Sequence, residues 1–136
     1  MIIYSSPKTG KTTFCNKNQK WIDSDKIIFN LLEKEFNVKI SDNNTKGQQI
    51  IELFKRDRNK AEQCYTKFMY WLKDNRTENI LLGTRRFMWL ADKIYLETNE
   101  SKDRPLELIN SEIESAMRWD LKFKKLNKKY ISQIIN

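Results

Sequence analysis

Short apolar runs alternate with longer stretches of helical spacing along the first part of the chain. Residues 1–4 form one apolar run, which ends before Pro7, and residues 20–23 carry the apolar pair Trp21 and Ile22. The pattern is helical over residues 10–16, and apolar residues recur at helical spacing over residues 27–36. Short runs with β-branched and aromatic residues are typical of buried strands, and the longer spacing is typical of amphipathic helices. The pattern predicts the order strand, helix, strand, helix.

The same alternation continues beyond a polar, turn-rich segment at residues 37–46. Helical spacing returns over residues 47–72 and predicts either one long helix or two. Residues 79–82 and 93–96 are apolar runs that predict a third and a fourth strand, and residues 87–91 predict a short helix between them.

The last part of the chain predicts one more helix and one more strand. Pro105 stands where a helix can begin, and residues 130–135 predict a fifth strand. The apolar stripe of this helix is predicted from Leu106, Leu108, Ile109, Ile113, Met117, Leu121 and Leu126. Strands that alternate with helices favour a parallel sheet covered on both faces. The sequence therefore predicts an α/β fold, as one domain over residues 1–136.

Charge and composition limit the kinds of partner and catalytic group that the chain can have. The chain has 26 Lys and Arg against 18 Asp and Glu, and its net charge of +8 favours anionic partners such as nucleotides or nucleic acid, unless it only solvates the surface. There is no histidine, and the two cysteines, Cys15 and Cys64, are far apart, which argues against a zinc site and against histidine-activated nucleophiles. The composition points to phosphate chemistry, in which positioning and charge dominate.

No apolar run approaches the roughly 18 residues that would span a bilayer, and no basic segment precedes an apolar core at the N-terminus. The sequence therefore predicts a cytoplasmic protein with no membrane contact.

The first predicted strand runs into a phosphate-binding motif. Residues 5–13 match the pattern G-x-x-x-x-G-K-[ST], with Ser5 at the position of the first glycine. In this motif Gly10 allows the backbone to approach the phosphates, Lys11 reaches the β- and γ-phosphates, and Thr12 offers a hydroxyl to Mg²⁺. The alternative is an ordinary turn from strand to helix. The residues predicted to bind nucleotide are Ser6, Pro7, Lys8, Thr9, Gly10, Lys11, Thr12 and Thr13.

With this motif the chain resembles the P-loop kinases, the family of small phosphotransferases that includes shikimate, gluconate, adenylate and phage deoxynucleotide kinases. The resemblance implies a three-layer α/β/α sandwich with about five parallel strands. It also implies ATP and Mg²⁺ as cofactors, and a small molecule as the phosphoryl acceptor. The compact length and the lysine- and asparagine-rich composition look like a phage member of the family, which would act in the host cytoplasm.

A second point of resemblance is the pair of aspartates after the second predicted strand. In shikimate- and gluconate-kinase-like members, a D-x-D at this place lies beside the transferred phosphoryl group. Carried over, Asp23 would lie near Mg²⁺ together with Thr12, and Asp25 would be the acceptor ligand or the base. Asp25 fits equally well as a cap of the following helix.

The third point of resemblance concerns arginines. Gly83-Thr84-Arg85-Arg86 looks like the segment of nucleoside monophosphate kinases in which an arginine grips the acceptor's phosphate, and either Arg85 or Arg86 suits that role. Family members also close an arginine-bearing lid over the phosphates. The matching segment is residues 98–105, with Arg104, and Arg118 lies on the helix beyond; the alternative is a solvated charged loop.

Together these features predict an ATP-dependent phosphotransferase, with a nucleoside monophosphate or related nucleotide as the acceptor. One alternative is a non-catalytic P-loop module that binds nucleic acid or a protein. Another is a 5′-hydroxyl polynucleotide kinase. The module would use its basic surface, and the polynucleotide kinase would bind its substrate strand with the basic C-terminal half of the chain. The lysine-rich segment 122–129 suits a nucleic-acid backbone, although a solvated helix face explains that segment better.

Overall fold

The computed structural model describes residues 1–126 and 131–135, in which strands alternate with helices. The strands and α-helices, in chain order, are β1 (Ile2–Ser5), α1 (Lys11–Lys17), β2 (Trp21–Asp23), α2 (Ser24–Phe36), α3 (Lys46–Arg56), α4 (Arg58–Asp74), β3 (Asn79–Leu82), β4 (Lys93–Leu96), α5 (Leu106–Arg118) and β5 (Lys124–Lys125). Segments of 3₁₀ helix lie at Arg85–Leu90 and Ile131–Gln133. The predicted α/β class is confirmed.

The chain divides into two compact units. One consists of Met1–Ser24 and Arg76–Asn136 and contains the sheet; the other, Asp25–Asn75, is helical. A single domain over residues 1–136 stays a prediction.

The sheet has five strands, all parallel, in the order β2-β3-β1-β4-β5. The chain leaves β1 toward β2 on one side and later leaves β3 to reach β4 on the other side. The order of connections therefore reverses at the centre of the sheet. Open α/β sheets bind their ligands beyond the carboxyl ends of the strands at such a point.

Helices cover both faces of this sheet, as the contacts of β1 show. Successive residues of a strand point to opposite faces. Ile3 packs with Phe14 and Cys15 of α1, in a buried cluster that also contains Leu81, Tyr95, Leu126 and Ile131. The next residue, Tyr4, donates a hydrogen bond from its hydroxyl to Glu112 of α5. The sheet is thus a middle layer between α1 and α5.

Residues 47–72, for which the sequence left open one helix or two, belong to two helices, α3 and α4. Asp57 separates α3 from α4, and its carboxylate accepts a hydrogen bond from the backbone N–H of Lys60 in the first turn of α4. Phe54 of α3 and Tyr65 of α4 pack with their ring centroids 5.4 Å apart. Cys64 is buried in the helical unit.

The structure corrects two predictions about the last part of the chain. Residues 131–133 form a 3₁₀ segment, not the predicted strand, and the fifth strand is Lys124–Lys125. Tyr130, where the predicted strand began, lies outside the described residues.

The predicted apolar stripe of the last helix is confirmed at Ile109 and wrong at other positions. The helix ends at Arg118 because Asp120 adopts a left-handed backbone conformation, with φ 52°, and the N–H of Leu121 bonds the carbonyl of Ala116. Leu106, Leu108 and Met117 are exposed, whereas the buried positions of the helix are Ile109, Glu112 and Ala116.

Every helix among residues 1–126 and 131–135 is too short or too polar to cross a membrane.

Candidate functional site

The segment between β1 and α1 is a tight loop with two residues in the left-handed region. Gly10, immediately before α1, has φ 82°, and Lys8 has φ 61°. Residues with a side chain are destabilised at such angles, so glycine suits position 10 better than any other residue type does. The loop therefore has a defined, non-helical backbone, and phosphate binding by its residues stays a prediction.

Ser5, which replaces the first glycine of the motif, closes the loop. Its hydroxyl lies 2.9 Å from the hydroxyl of Thr9, and Thr9 donates its own proton to the carbonyl of Ser6 at 2.8 Å. Since a hydroxyl has one proton, Ser5 must be the donor to Thr9. Ser5, Ser6 and Thr9 are all buried. A glycine at position 5 has no side chain with which to make this link.

Lys11 points back into the loop and is buried, with 7% of its surface exposed. Its ammonium group donates hydrogen bonds to the carbonyls of Ser5 at 3.0 Å and Ser6 at 2.8 Å. The positive charge is therefore held against the backbone of the loop.

Thr12 and Asp23 come together although eleven positions separate them in the sequence. The Thr12 hydroxyl donates to an oxygen of the Asp23 carboxylate at 2.8 Å, and Asp23 is buried at the end of β2. The two residues offer the oxygen ligands that Mg²⁺ prefers. Groups of three or more acidic, histidine or cysteine ligands are absent from the described part of the chain.

The other predicted acidic residue, Asp25, lies in the first turn of α2 and belongs to the helical unit. Its predicted roles as acceptor ligand, base or helix cap all stay predictions.

Arg85 and Arg86 have different surroundings. Arg85 is half-buried, and its guanidinium donates a hydrogen bond to the Ser111 hydroxyl of α5 at 2.7 Å. Arg86 is exposed, and its guanidinium lies 5.9 Å from the ring centroid of Phe87. Arg85 is therefore anchored to α5 by a side-chain hydrogen bond.

Arg104 lies in the segment predicted as a lid, and it is buried. Its guanidinium forms a 2.8 Å ion pair with Glu112 and also donates to the carbonyl of Glu97 at 3.1 Å. Near the same segment, Asp103 pairs with Lys8 of the loop at 3.4 Å, with both side chains exposed. Arg118 is exposed at the end of α5. Contact of Arg104 or Arg118 with phosphate stays a prediction.

The sequence did not predict that the Tyr4 hydroxyl, the Ser6 hydroxyl and the Glu112 carboxylate form one hydrogen-bonded cluster. The Glu112 carboxylate accepts hydrogen bonds from the Tyr4 hydroxyl at 2.6 Å and from the Ser6 hydroxyl at 2.5 Å, in addition to the ion pair with Arg104. Burial, and then the charge of Glu112, raise the pKa of Tyr4 well above its ordinary value. The sequence signal that could have identified Glu112 is its helical spacing from Ile109 and Ala116, which places a charged residue on the same helix face as two apolar ones.

A cavity of about 560 Å³ adjoins the end of the loop. It lies between α1 and the 3₁₀ segment Ile131–Gln133, whose first N–H donates to the carbonyl of Thr9 at 2.9 Å. The residues that line it are Gly10, Thr13, Phe14, Lys17, Asn18, Ser132 and Ile135. The loop therefore has an adjacent space of the size that small-molecule ligands occupy.

The lysine-rich segment lies elsewhere on the sheet. Lys122 and Lys124 are exposed and, with Lys93, line a second cavity of about 330 Å³. Lys128 and Lys129 lie outside the described residues. Nucleic-acid binding by this segment stays a prediction.

No family model matches the chain, and no curated protein has a significantly similar sequence.

Proposed function

We propose that the chain is an ATP-dependent phosphotransferase of the P-loop kinase type, with a nucleoside monophosphate or related nucleotide as its acceptor. The observation that carries the proposal is the hydrogen bond between Thr12 and Asp23, directly beside a loop that holds a buried lysine. The two predicted magnesium residues come from different elements, so their contact was not dictated by closeness in sequence.

The phosphates of ATP would lie against the loop of residues 6–10. The Lys11 ammonium supplies positive charge there, and the first turn of α1 supplies backbone N–H groups that have no acceptor within the helix. In phosphoryl transfer most of the rate enhancement comes from positioning and from stabilising charge on the phosphoryl oxygens. A loop that fixes a lysine at its centre suits that task.

Thr12 and Asp23 would hold Mg²⁺, which when bound neutralises charge on the phosphates. The cavity of about 560 Å³ beside Gly10 would take the nucleoside part of ATP. Arg85 would bind the phosphate of the acceptor, because its planar guanidinium matches a phosphate with two parallel hydrogen bonds and is already oriented by Ser111.

The test is a coupled assay with Mg-ATP and a panel of nucleoside monophosphates, deoxynucleoside monophosphates, nucleosides and polyol acids. We expect turnover with at least one nucleotide acceptor, and a loss of more than about a hundredfold in Lys11→Ala, because the positive charge held in the loop is removed. Lys20→Ala, which removes an exposed lysine just before β2, is the matched control and should retain activity.

Two other results would favour different functions. Normal binding of Mg-ATP without turnover on any acceptor would favour the non-catalytic module. Transfer to 5′-hydroxyl single-stranded DNA, with affinity that falls steeply as salt rises, would favour the polynucleotide kinase. Absence of Mg-ATP binding in the wild-type protein would contradict nucleotide binding by the loop itself.

A further inference from the structure

We propose that Glu112 is a positioning residue that orients Lys11 through Ser6. It also links the phosphate loop to the segment of residues 97–104. The functional part of this inference rests on the proposed nucleotide binding by the loop. The structural part, that a buried carboxylate on α5 orders the loop, stands on the contacts alone.

Three donors converge on the Glu112 side chain, which is 1% exposed. One carboxylate oxygen accepts from the Tyr4 hydroxyl of β1, and the other accepts from the Ser6 hydroxyl of the loop and from the Arg104 guanidinium. Two of the donors come from the end of β1 and the start of the loop, and the third comes from the segment after β4, so a change at Glu112 reaches both parts of the chain at once.

Ser6 connects Glu112 to Lys11 through two hydrogen bonds. Its hydroxyl donates to Glu112, and its carbonyl accepts from the Lys11 ammonium at 2.8 Å. The same carbonyl accepts from the Thr9 hydroxyl. A shift of Ser6 would therefore move both the lysine and the hydroxyl link that closes the loop.

Ser6 and Arg104 also hold the segment that follows β4. The N–H of Glu97 donates to the Ser6 hydroxyl at 2.9 Å, and the carbonyl of Glu97 accepts from Arg104 at 3.1 Å. Residue 97 is therefore fixed on both sides of its backbone by groups that Glu112 binds. This arrangement ties the segment that follows β4 to the phosphate loop.

Stability alone gives little reason for a charge at this position. Taking a carboxylate and a guanidinium out of water carries a desolvation penalty that their attraction offsets only in part, and apolar residues of similar volume often stabilise a fold equally well. The pair also leaves the buried Nε of Arg104 without a partner among the described residues. What the pair supplies is a fixed orientation for Ser6 and for residue 97.

The experiment compares Glu112→Gln, Ser6→Ala and the double variant with the wild-type protein, with Mg-ATP binding measured by calorimetry. Glu112→Gln preserves shape but removes the charge, and Ser6→Ala cuts the link between Glu112 and the loop. We expect each single variant to weaken binding at least tenfold, and the double variant to be no more than about twofold weaker than the worse single, because both act through one path.

Ile109→Val is the matched control. Ile109 is buried on the same face of α5, so its substitution loosens the core without breaking a polar link to the loop. We expect its affinity for Mg-ATP to stay within twofold of the wild type. Affinity within twofold of the wild type in Glu112→Gln, together with a lowered melting temperature, would show that Glu112 serves stability only and would overturn the proposal.

Hydrogen exchange without nucleotide gives a second measurement that does not depend on the proposed function. The Glu97 amide donates to the Ser6 hydroxyl. We expect this amide to exchange at least tenfold faster in Glu112→Gln than in the wild type, and at the wild-type rate in Ile109→Val. If wild-type protein fails to bind Mg-ATP, the proposed function fails and the exchange result alone decides whether Glu112 orders the loop. If Glu112→Gln does not fold, Glu112→Asp takes its place, because it keeps the charge but draws the carboxylate back from the Ser6 hydroxyl. We expect faster exchange of the Glu97 amide in that variant too, and unchanged exchange would overturn the proposal.

Discussion

The Tyr4 phenol and the Glu112 carboxylate form a buried hydrogen bond that works only while the phenol keeps its proton. Burial first, and the charge of Glu112 second, raise the pKa of Tyr4 well above its ordinary value. An acid whose pKa is raised by folding contributes stability that is fully present below its unfolded pKa of about 10 and is lost as the pH rises above that value.

Tyr4→Phe should therefore change how stability depends on alkaline pH. We expect it to lower the free energy of unfolding at pH 7 by about 1–3 kcal/mol, because Glu112 loses a buried donor. Above about pH 10 the difference from the wild type should shrink. Urea denaturation between pH 7 and 11 measures both effects. Tyr70→Phe, which removes a phenol that is 57% exposed, should follow the wild-type curve. An undiminished difference at high pH would contradict the assignment to Tyr4.

Asp23 gives a prediction about magnesium. Asp23→Asn retains an oxygen that accepts from Thr12 but removes the charge that would attract the metal. We expect ATP affinity in the presence of Mg²⁺ to fall at least tenfold and ATP affinity in EDTA to change little. Asp103→Asn is the control, since it removes an exposed carboxylate near Lys8 of the loop without touching Thr12. An equal loss with and without Mg²⁺ would mean that Asp23 serves the fold of the loop and not the metal.

At the scale of elements, Asp57 ends α3 and begins α4. Its carboxylate satisfies the N–H of Lys60, one of the groups at a helix start that has no acceptor within the helix. Asp57→Ala should lower the free energy of unfolding by about 1 kcal/mol, and Asp57→Asn should cost much less. Asp42→Ala tests specificity, because it removes only an exposed ion pair with Lys46 and should cost less than about 0.5 kcal/mol by urea denaturation. Equal losses in Asp57→Ala and Asp42→Ala would point to general charge effects.

The sequence predicted elements whose signal is local and missed those that depend on tertiary contacts. The strands Asn79–Leu82 and Lys93–Leu96 are confirmed with the predicted bounds, because each is a buried apolar run between polar segments. Lys124–Lys125 has no apolar residue, and only its pairing with β4 makes it a strand.

The same distinction applies to the candidate site. The loop around Gly10 and the choice of Thr12 and Asp23 followed from a motif, and the structure brings the latter two into contact. Glu112 could not be identified in this way, because a single glutamate beside apolar residues is more often on the exposed face of a helix. Its three partners lie 8 to 108 positions away along the chain, so only the fold reveals them.

At the scale of the whole molecule, each compact unit contains one buried cysteine, and the two cysteines are not joined by a disulfide. Cys15 belongs to the unit with the sheet, and Cys64 belongs to the helical unit of residues 25–75. Burial, and then the charge of Glu35, raise the pKa of the Cys64 thiol, so little reactive thiolate forms until that unit opens. The two thiols therefore report separately on the opening of the two units.

We expect Cys64 to react at lower urea concentration than Cys15 when Cys15→Ser and Cys64→Ser variants are labelled with a thiol reagent. A helical unit of about fifty residues buries a smaller share of its surface than a larger domain does, and it lacks the sheet that links distant parts of the other unit. Labelling of both cysteines at one urea concentration would instead support the single cooperative domain that the sequence predicts.

Adding Mg-ATP to the same labelling experiment connects the two units to the proposed function. The loop, Lys11, Thr12 and Asp23 all belong to the unit with the sheet. A ligand that binds only the folded form of that unit raises its stability in proportion to the logarithm of ligand concentration over the dissociation constant. Mg-ATP should therefore shift labelling of Cys15 to higher urea and leave Cys64 nearly unchanged, and Lys11→Ala should abolish the shift. A larger shift at Cys64 would place the nucleotide on the helical unit and contradict binding at the loop.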